Sequence, residues 1–483
     1  MLHATWIWGR NSPLKFAALS AVLYLVSSVC CVPLHAASKN PVYVVLWFDT
    51  EDYIEPAADD AALRIAGELT ELGVRASFKV VGEKARTLEA RGRTDVIRAL
   101  SRHAIGYHSN FHSIPPAPAV YLKRLGFLEG ADEFQRREAG GAADIRRIFG
   151  VAPICYGQPG SSWAPQTNLA LRRMGVPVYL DAGDHFGIDD QPVWYGGLLY
   201  IYKMGPYQLR PDLDHEEKNV EIFRQFDAAA ERLRNAGGGV ISTYFHPTEF
   251  VTTEFWDAVN FAKGADRERV DWVAPKKRTP EAVDQCFRVL RAYVEHVKRT
   301  PDAQFVTAQD LLQLYQPPAP PKVEIKRIAE HLKQRITFLQ TDSGNLSPAD
   351  MVLALLGLEP MIVDGPTQRG VSTYAGDIIA RPSFERAKQD VISFIAANRR
   401  LPNEVFFGSQ TLSLPDFAAT LAGERLSHDP IHVLRGNLEM EKYFATDPSD
   451  PFKWPIHPEG FSAPELLELA RLQGWTLKPA RLR

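Results

Sequence analysis

The run Val42-Tyr43-Val44-Val45-Leu46-Trp47-Phe48 leads straight into Asp49-Thr50-Glu51-Asp52. The first seven residues are almost all apolar and rich in β-branched and aromatic types, the text of a strand buried on both faces. Ala62, Ile65, Ala66, Leu69 and Leu72 then recur at helical spacing, and Gly73 supplies a stop. A second strand reads at 76–81. Helical text at 95–102 leads to a third strand, 104–107, which delivers His108. Further on, helices read near 133–149, 167–174, 217–235 and 281–298, and strands near 176–180, 198–203, 239–245 and 304–306. Strands interleaved with helices predict parallel strands joined by crossovers, hence an α/β sheet or barrel. Active residues in such folds gather where strands end. Asp49, His108, Asp181 and His246 each follow an apolar strand-like run, so they are expected in one site.

The rest of the chain frames this core. Its 483 residues, 45% hydrophobic and 23% charged, are too many for one ordinary domain and have the make-up of a soluble globular protein. A net charge of −3 gives no electrostatic reason to expect a nucleic-acid partner. Residues 1–38 read as a secretory signal: Arg10 and Lys15 precede an apolar run at 16–32, and Ala36, Ala37 and Ser38 follow. The run sits at the lower limit for a membrane span, so an uncleaved anchor stays open, and only then is membrane contact expected. Export to a periplasmic or extracellular site follows from either form. Cys155 and Cys286 remain after the signal, as a disulfide or as two buried thiols.

Pro317, Pro318, Pro320 and Pro321 mark a stiff linker, placed at 316–322 between a catalytic unit at 41–315 and a smaller, mainly helical C-terminal domain at 323–483. In that domain Leu346-Ser347-Pro348-Ala349-Asp350, Leu412-Ser413-Leu414-Pro415-Asp416 and Phe461-Ser462-Ala463-Pro464-Glu465 each read as a Ser-capped helix start with an acid three residues on. They are three capped helices or a degenerate repeat. The stretch from Ile392 to Val405 is similar to pseudomurein-binding repeats, which implies contact with a cell-wall or exopolysaccharide chain.

His108-Ser109-Asn110-Phe111-His112 places two imidazoles four residues apart, able to converge on one ion. Acids at the end of the first strand can supply a third ligand and a general base. With Gly157-Gln158-Pro159-Gly160, Asp181-Ala182-Gly183-Asp184 and His246-Pro247, these segments resemble, in order across 41–315, the five motifs of the polysaccharide deacetylases, carbohydrate esterase family 4. The resemblance implies a distorted (β/α) barrel of about seven strands. It also implies zinc or another divalent metal on two histidines and one acid, and removal of N-acetyl groups from an acetylated glycan. By the match, His108 and His112 are metal ligands, Asp49 the general base, and His246 the general acid oriented by Asp181 or Asp184. The acidic ligand is Glu51 or Asp52; strand alternation puts Glu51 on the face of Asp49. Pro159 and Gly160 belong to the substrate loop, and Trp163 is a sugar platform or a core residue.

Plainer roles exist for each: a polar pair at a loop–helix junction, an N-cap at Asp49, a strand-end histidine at 246, a turn residue at 181. The third motif departs from the family, which has arginine where Gly157 stands. That arginine pairs with the base, so Asp49 needs another partner or the activity is altered. Arg146, Arg147 and Arg172 are near in sequence. No Gly-x-Ser-x-Gly elbow appears, against a serine hydrolase, and His215-Glu216 lacks a second histidine at metalloprotease spacing. Two rivals to a deacetylase stand: a glycan-binding pseudoenzyme, and an amidohydrolase of a small C–N substrate. A closed pocket in place of a long groove would point to the second.

Overall fold

All nine residues of β1 (Val42–Thr50) are buried, and the sheet is built around them. The computed structural model describes residues 40–315, 322–427 and 429–483. The segment expected to be a signal and nearly all of the proline linker lie outside the described residues. Along one edge β1 pairs with β9 (Gly239–Phe245), from Val42 opposite Gly239 to Phe48 opposite Phe245. Its other edge is shared. The first half pairs with β10 (Ala303–Val306) and the second with β2 (Ser77–Val80), which leads on to β3 (Ala104–Tyr107), β4 (Cys155–Tyr156), β5 (Val178–Leu180) and the hairpin β6 (Val193–Tyr195) and β7 (Leu198–Ile201). β8 (Gln208–Leu209) lies outside β9, and the strand Lys478–Pro479 joins antiparallel to β6.

The sheet thus has eleven strands rather than about seven, and its strand path ends at β8 and at Lys478–Pro479 without joining them. The extra strands have two or three residues each, too short to carry a periodic pattern. Every pairing from β10 through β1 to β5, and from β1 to β9, is parallel. Their C-terminal ends therefore share one rim.

Alternation along β1 decides what reaches that rim. Leu46 and Phe48 pack under the helices with Ile65, Leu69, Phe78 and Leu290. Tyr43, Val45 and Trp47 face the other way, with Val178, Leu180, Leu199, Ile201 and Val240. Asp49 and Glu51 continue this second face, the interior of the curl. The helix Phe127–Phe149 is the longest of the layer outside and stops at Gly150, whose φ of 74° a glycine adopts without strain.

Among the described residues beyond 322, five α-helices and three two-stranded pairs surround a core of their own, with Leu332, Val352, Phe384 and Phe417 inside it. Ser347 and Ser413 cap their helices through the backbone N–H groups of Asp350 and Asp416, whereas the helix Pro464–Gln473 starts after Ala463 with no side-chain cap. Residues after 38 form one compact unit, this part included. Cys155 and Cys286 are separate buried thiols. Among the described residues, no helix is long and apolar enough to cross a membrane.

Candidate metal centre

The two histidines do not share a helical turn. His108 follows β3, the chain reverses through Ser109 (φ 62°), and His112 is itself left-handed (φ 57°). This loop is held from beneath by Glu138, which accepts from the Asn110 N–H at 2.8 Å and the Tyr107 hydroxyl at 2.6 Å. Burial pushes the Glu138 carboxyl up to about 7. The outcome is that Nε2 of His108 and Nε2 of His112 face each other at 3.1 Å, with Glu51 Oε2 2.8 Å from the second and 3.4 Å from the first.

The ring protons can be assigned from the far side of each imidazole. His108 Nδ1 sits 3.0 Å from the carbonyl oxygen of Gly157. A carbonyl only accepts, so Nδ1 carries the proton and Nε2 presents a lone pair. His112 Nδ1 lies 2.6 Å from Ser113 Oγ, whose own proton is donated to Asp257 Oδ2 at 2.9 Å. Ser113 therefore accepts from His112 Nδ1, and that Nε2 also presents a lone pair. Two lone pairs and a carboxylate oxygen converge in a buried space, an arrangement that a cation relieves. All three donor atoms lie within 4.8 Å of one another. Without a cation one imidazole must take up a proton, and the raised pKa of His112 records this: burial pushes it down, and the Glu51 carboxylate prevails. Burial would likewise raise Glu51, but His112, His246 and His108 hold it well below the usual range. The donor set fits a divalent ion of the zinc type, with three protein ligands and room for more.

Asp52 is not part of this group. Its Oδ1 accepts from the N–H groups of Ile54 and Glu55 and its Oδ2 from the Thr248 hydroxyl, so it caps the turn after β1. Alternation carries it away from the face of Asp49 and Glu51.

Asp49 has a cation, and it is a lysine. Lys79, wholly buried in β2, places Nζ 2.9 Å from both Asp49 Oδ1 and Asp181 Oδ2 and 4.1 Å from the Trp47 ring centre. Burial works to lower its pKa, and the two carboxylates more than offset that. Glycines make the room. A Cβ at Gly157 would stand 1.9 Å from Nζ, and one at Gly106 2.9 Å from Cγ. Gly157 thus leaves room for the lysine that pairs with Asp49. Arg147 pairs with Glu89 and Arg172 with Asp364 instead. Asp181 serves Lys79, and burial and the Asp49 charge raise its pKa. Asp49, His108 and Asp181 also form a candidate cluster, but the Lys79 ammonium already holds both acids.

His246 Nε2 faces Asp49 Oδ2 at 3.7 Å. The acid at its other nitrogen is Glu249, 2.9 Å from Nδ1, rather than Asp181 or Asp184, and Glu249 is in turn paired with Arg210. Burial opposes protonation of His246, but Glu249 and then Glu51 raise it to about 9. A His-x-x-Glu spacing was the one signal of this pair in the sequence.

Asp49, Glu51, His108, His112, Asp181 and His246 line a cavity of about 260 Å³ with Gln158, Gly160, Tyr244 and Phe255. Pro159 does not border it. Trp163 is fully buried, its indole N–H toward the Tyr200 hydroxyl and its ring against His185 and Phe186, so it is a core residue and no sugar platform. Besides Tyr244 and Phe255, the cavity has a third aromatic, Trp454, from the C-terminal part, and nothing in the sequence marked it.

No known protein family's sequence profile matches the chain, and no curated protein sequence does. Solved structures with a similar backbone include a Mycobacterium smegmatis protein described as a polysaccharide deacetylase, 15% identical over 60% of this chain and 98% of that one, with a TM-score of 0.37. The Bc1960 peptidoglycan N-acetylglucosamine deacetylase is 16% identical over 57% and 91%, with a TM-score of 0.32. The PuuE allantoinase is 13% identical over 57% and 90%, with a TM-score of 0.38.

Proposed function

We propose that the protein is a metal-dependent hydrolase of a non-peptide carbon–nitrogen bond that removes N-acetyl groups from a glycan. One observation carries the reading. Both Nδ1 protons are spent on Gly157 and Ser113, so two Nε2 lone pairs meet Glu51 Oε2 at a single point. This favours Glu51 over Asp52 as the acidic ligand, with His108 and His112, for zinc or a similar divalent cation. Bound there, such an ion supplies Lewis acidity, acidifying water and polarising a carbonyl.

The chain's own groups supply the proton traffic. Asp49 accepts a proton at Oδ2, while Lys79 holds Oδ1 and fixes the carboxylate. His246, kept protonated by Glu249 at Nδ1, gives its Nε2 proton to the departing nitrogen. Base and acid stand side by side, 3.7 Å apart, in the lining of the cavity, close enough to serve one bond. Lys79 also weakens the motive for the pseudoenzyme reading, since the base does not lack a cationic partner. Export through residues 1–38 and wall or exopolysaccharide contact through 323–483 belong to the same proposal.

The test is acetate release from a panel of N-acetylated amino sugars, oligosaccharides and polymers, with and without zinc, beside His108→Ala and Asp49→Asn. Zinc-dependent release lost in both variants supports the reading. A protein that binds zinc through His108 and yet frees acetate from nothing in the panel overturns it.

A further inference from the structure

The strand ends wall only part of the cavity. Part of the remainder comes from Asp450, Pro451, Lys453 and Trp454, which lie far beyond His246 in the sequence. This segment is anchored rather than laid on. Trp454 donates its indole N–H to Asp257 Oδ2 at 2.8 Å and its backbone N–H to Ser161 Oγ at 3.1 Å, and its ring meets Phe255 edge-on at 5.1 Å. Gly160 gives it space: a Cβ there would come within 2.4 Å of the indole. Phe452, buried beside it, packs edge-on to His185 at 4.9 Å. The contact reaches the metal group as well, because Asp257 Oδ2 also accepts from Ser113, which holds His112 Nδ1.

Size and chemistry then limit the occupant. A cavity of about 260 Å³ falls just below the ~300–1,000 Å³ typical of pockets for drug-sized ligands. That is room for one sugar ring with its acyl group. An internal unit of a polymer needs chain to leave on both sides of the reacting unit, whereas part of this cavity's wall is the Asp450–Trp454 segment. The cavity is also lined by the Trp454 indole and by the carboxylates of Asp184 and Asp450, the latter paired with Lys453, groups of the kinds that meet a sugar ring and its hydroxyls.

We infer that the Asp450–Trp454 segment makes this site a pocket for a single N-acetylated amino sugar, free or at a chain end, and excludes internal units of a polymer. The inference rests on the N-acetyl hydrolase reading and narrows its substrate; a pocket closed to polymer also suits an amidohydrolase of a small C–N substrate, and the acetate readout separates the two. Trp454 is a specificity-determining wall. It does not take part in the chemistry.

The test uses the full chain with zinc bound. N-acetylglucosamine, its oligomers of two to six units (about the range a single cleft would span) and the insoluble polymer are compared, with mass spectrometry locating the deacetylated unit. The wild type is expected to modify the monosaccharide and terminal units only, with kcat/KM flat or falling as the chain lengthens. Trp454→Ala admits internal units, and monosaccharide affinity drops about fivefold to tenfold as the stacking face is lost. Trp454→Phe keeps a smaller aromatic wall and loses the N–H bonded to Asp257, so it retains the terminal preference. Melting curves of each variant identify one that has failed to fold, and Asp450→Ala, at an exposed position, then supplies the affinity comparison. Internal units modified by the wild type at rates that rise with length overturn the inference while leaving the hydrolase reading intact. If no acetate appears, the hydrolase reading falls, and calorimetry with N-acetylglucosamine decides the pocket. Binding weakened in Trp454→Ala upholds it, and no binding overturns it.

Discussion

The cavity has two walls of different origin. One is made by residues at the ends of parallel strands, Asp49, Glu51, His108, Asp181 and His246, where the fold forces convergence. The other is made by Trp454, which reaches Asp257 across 197 residues of chain and is placed by packing alone. The first wall holds the reactive groups and the second sets what can approach them. Chemistry and selectivity can then change separately, because they are carried by different parts of the chain.

The strand-end wall depends on one buried ammonium, and removing it should have the largest effect. Lys79→Met leaves Asp49 and Asp181 buried without a cation, at a cost of about 3–5 kcal/mol in urea unfolding. Gly157→Ala drives a methyl toward Nζ and should cost ~1–3 kcal/mol in the wild type. In the Lys79→Met background the cost should shrink, since the two changes share one space. Independent, additive effects would break the link between the lysine and the glycine.

Next comes the junction of the walls. Ser113→Ala removes the acceptor that orients His112 and should weaken zinc binding about 10- to 100-fold, measured by competition with a chelator. Unchanged affinity would mean that the Asp257 side has no hold on the metal group.

The smallest effect is a shift along the pH axis. His246 has its pKa raised to about 9, against the pull of burial, chiefly by Glu249. The protonated acid therefore persists below that pH, and kcat/KM should fall as pH rises through it. Glu249→Gln removes the favourable charge, lowers the pKa, and moves the fall to lower pH. An alkaline limb that stays in place in Glu249→Gln would show that His246 is not the acid it reports.

The two walls were unequally legible in the sequence. Val42 to Phe48 is unmistakable strand text, so Asp49 could be placed at its end, and the same reading located His108 and His246. Alternation favoured Glu51 and left Asp52 open, because a period of two carries through the end of β1. Lys79 was legible but unread: a lysine between Phe78 and Val80 in a buried strand requires acidic partners. Glu249 was present as a spacing. Trp163 was placed at the substrate because it flanks the motif loop, whereas its neighbours in space, Tyr195 and Phe186, were beyond local text. Trp454 gave no signal at all, since no periodicity records which distant loop a segment will cover. The count of strands failed for a related reason: two-residue strands such as β8 exist only through their partners.

The most direct measurement is the metal content of the purified protein by elemental analysis, with Glu51→Gln and His112→Ala beside the wild type and Asp52→Asn as the comparison. The account predicts one tightly held divalent ion per chain in the wild type and in Asp52→Asn, and its loss in the other two. Metal retained in both Glu51→Gln and His112→Ala, or absent from a zinc-supplemented wild type, would contradict the convergence of lone pairs on which the function rests.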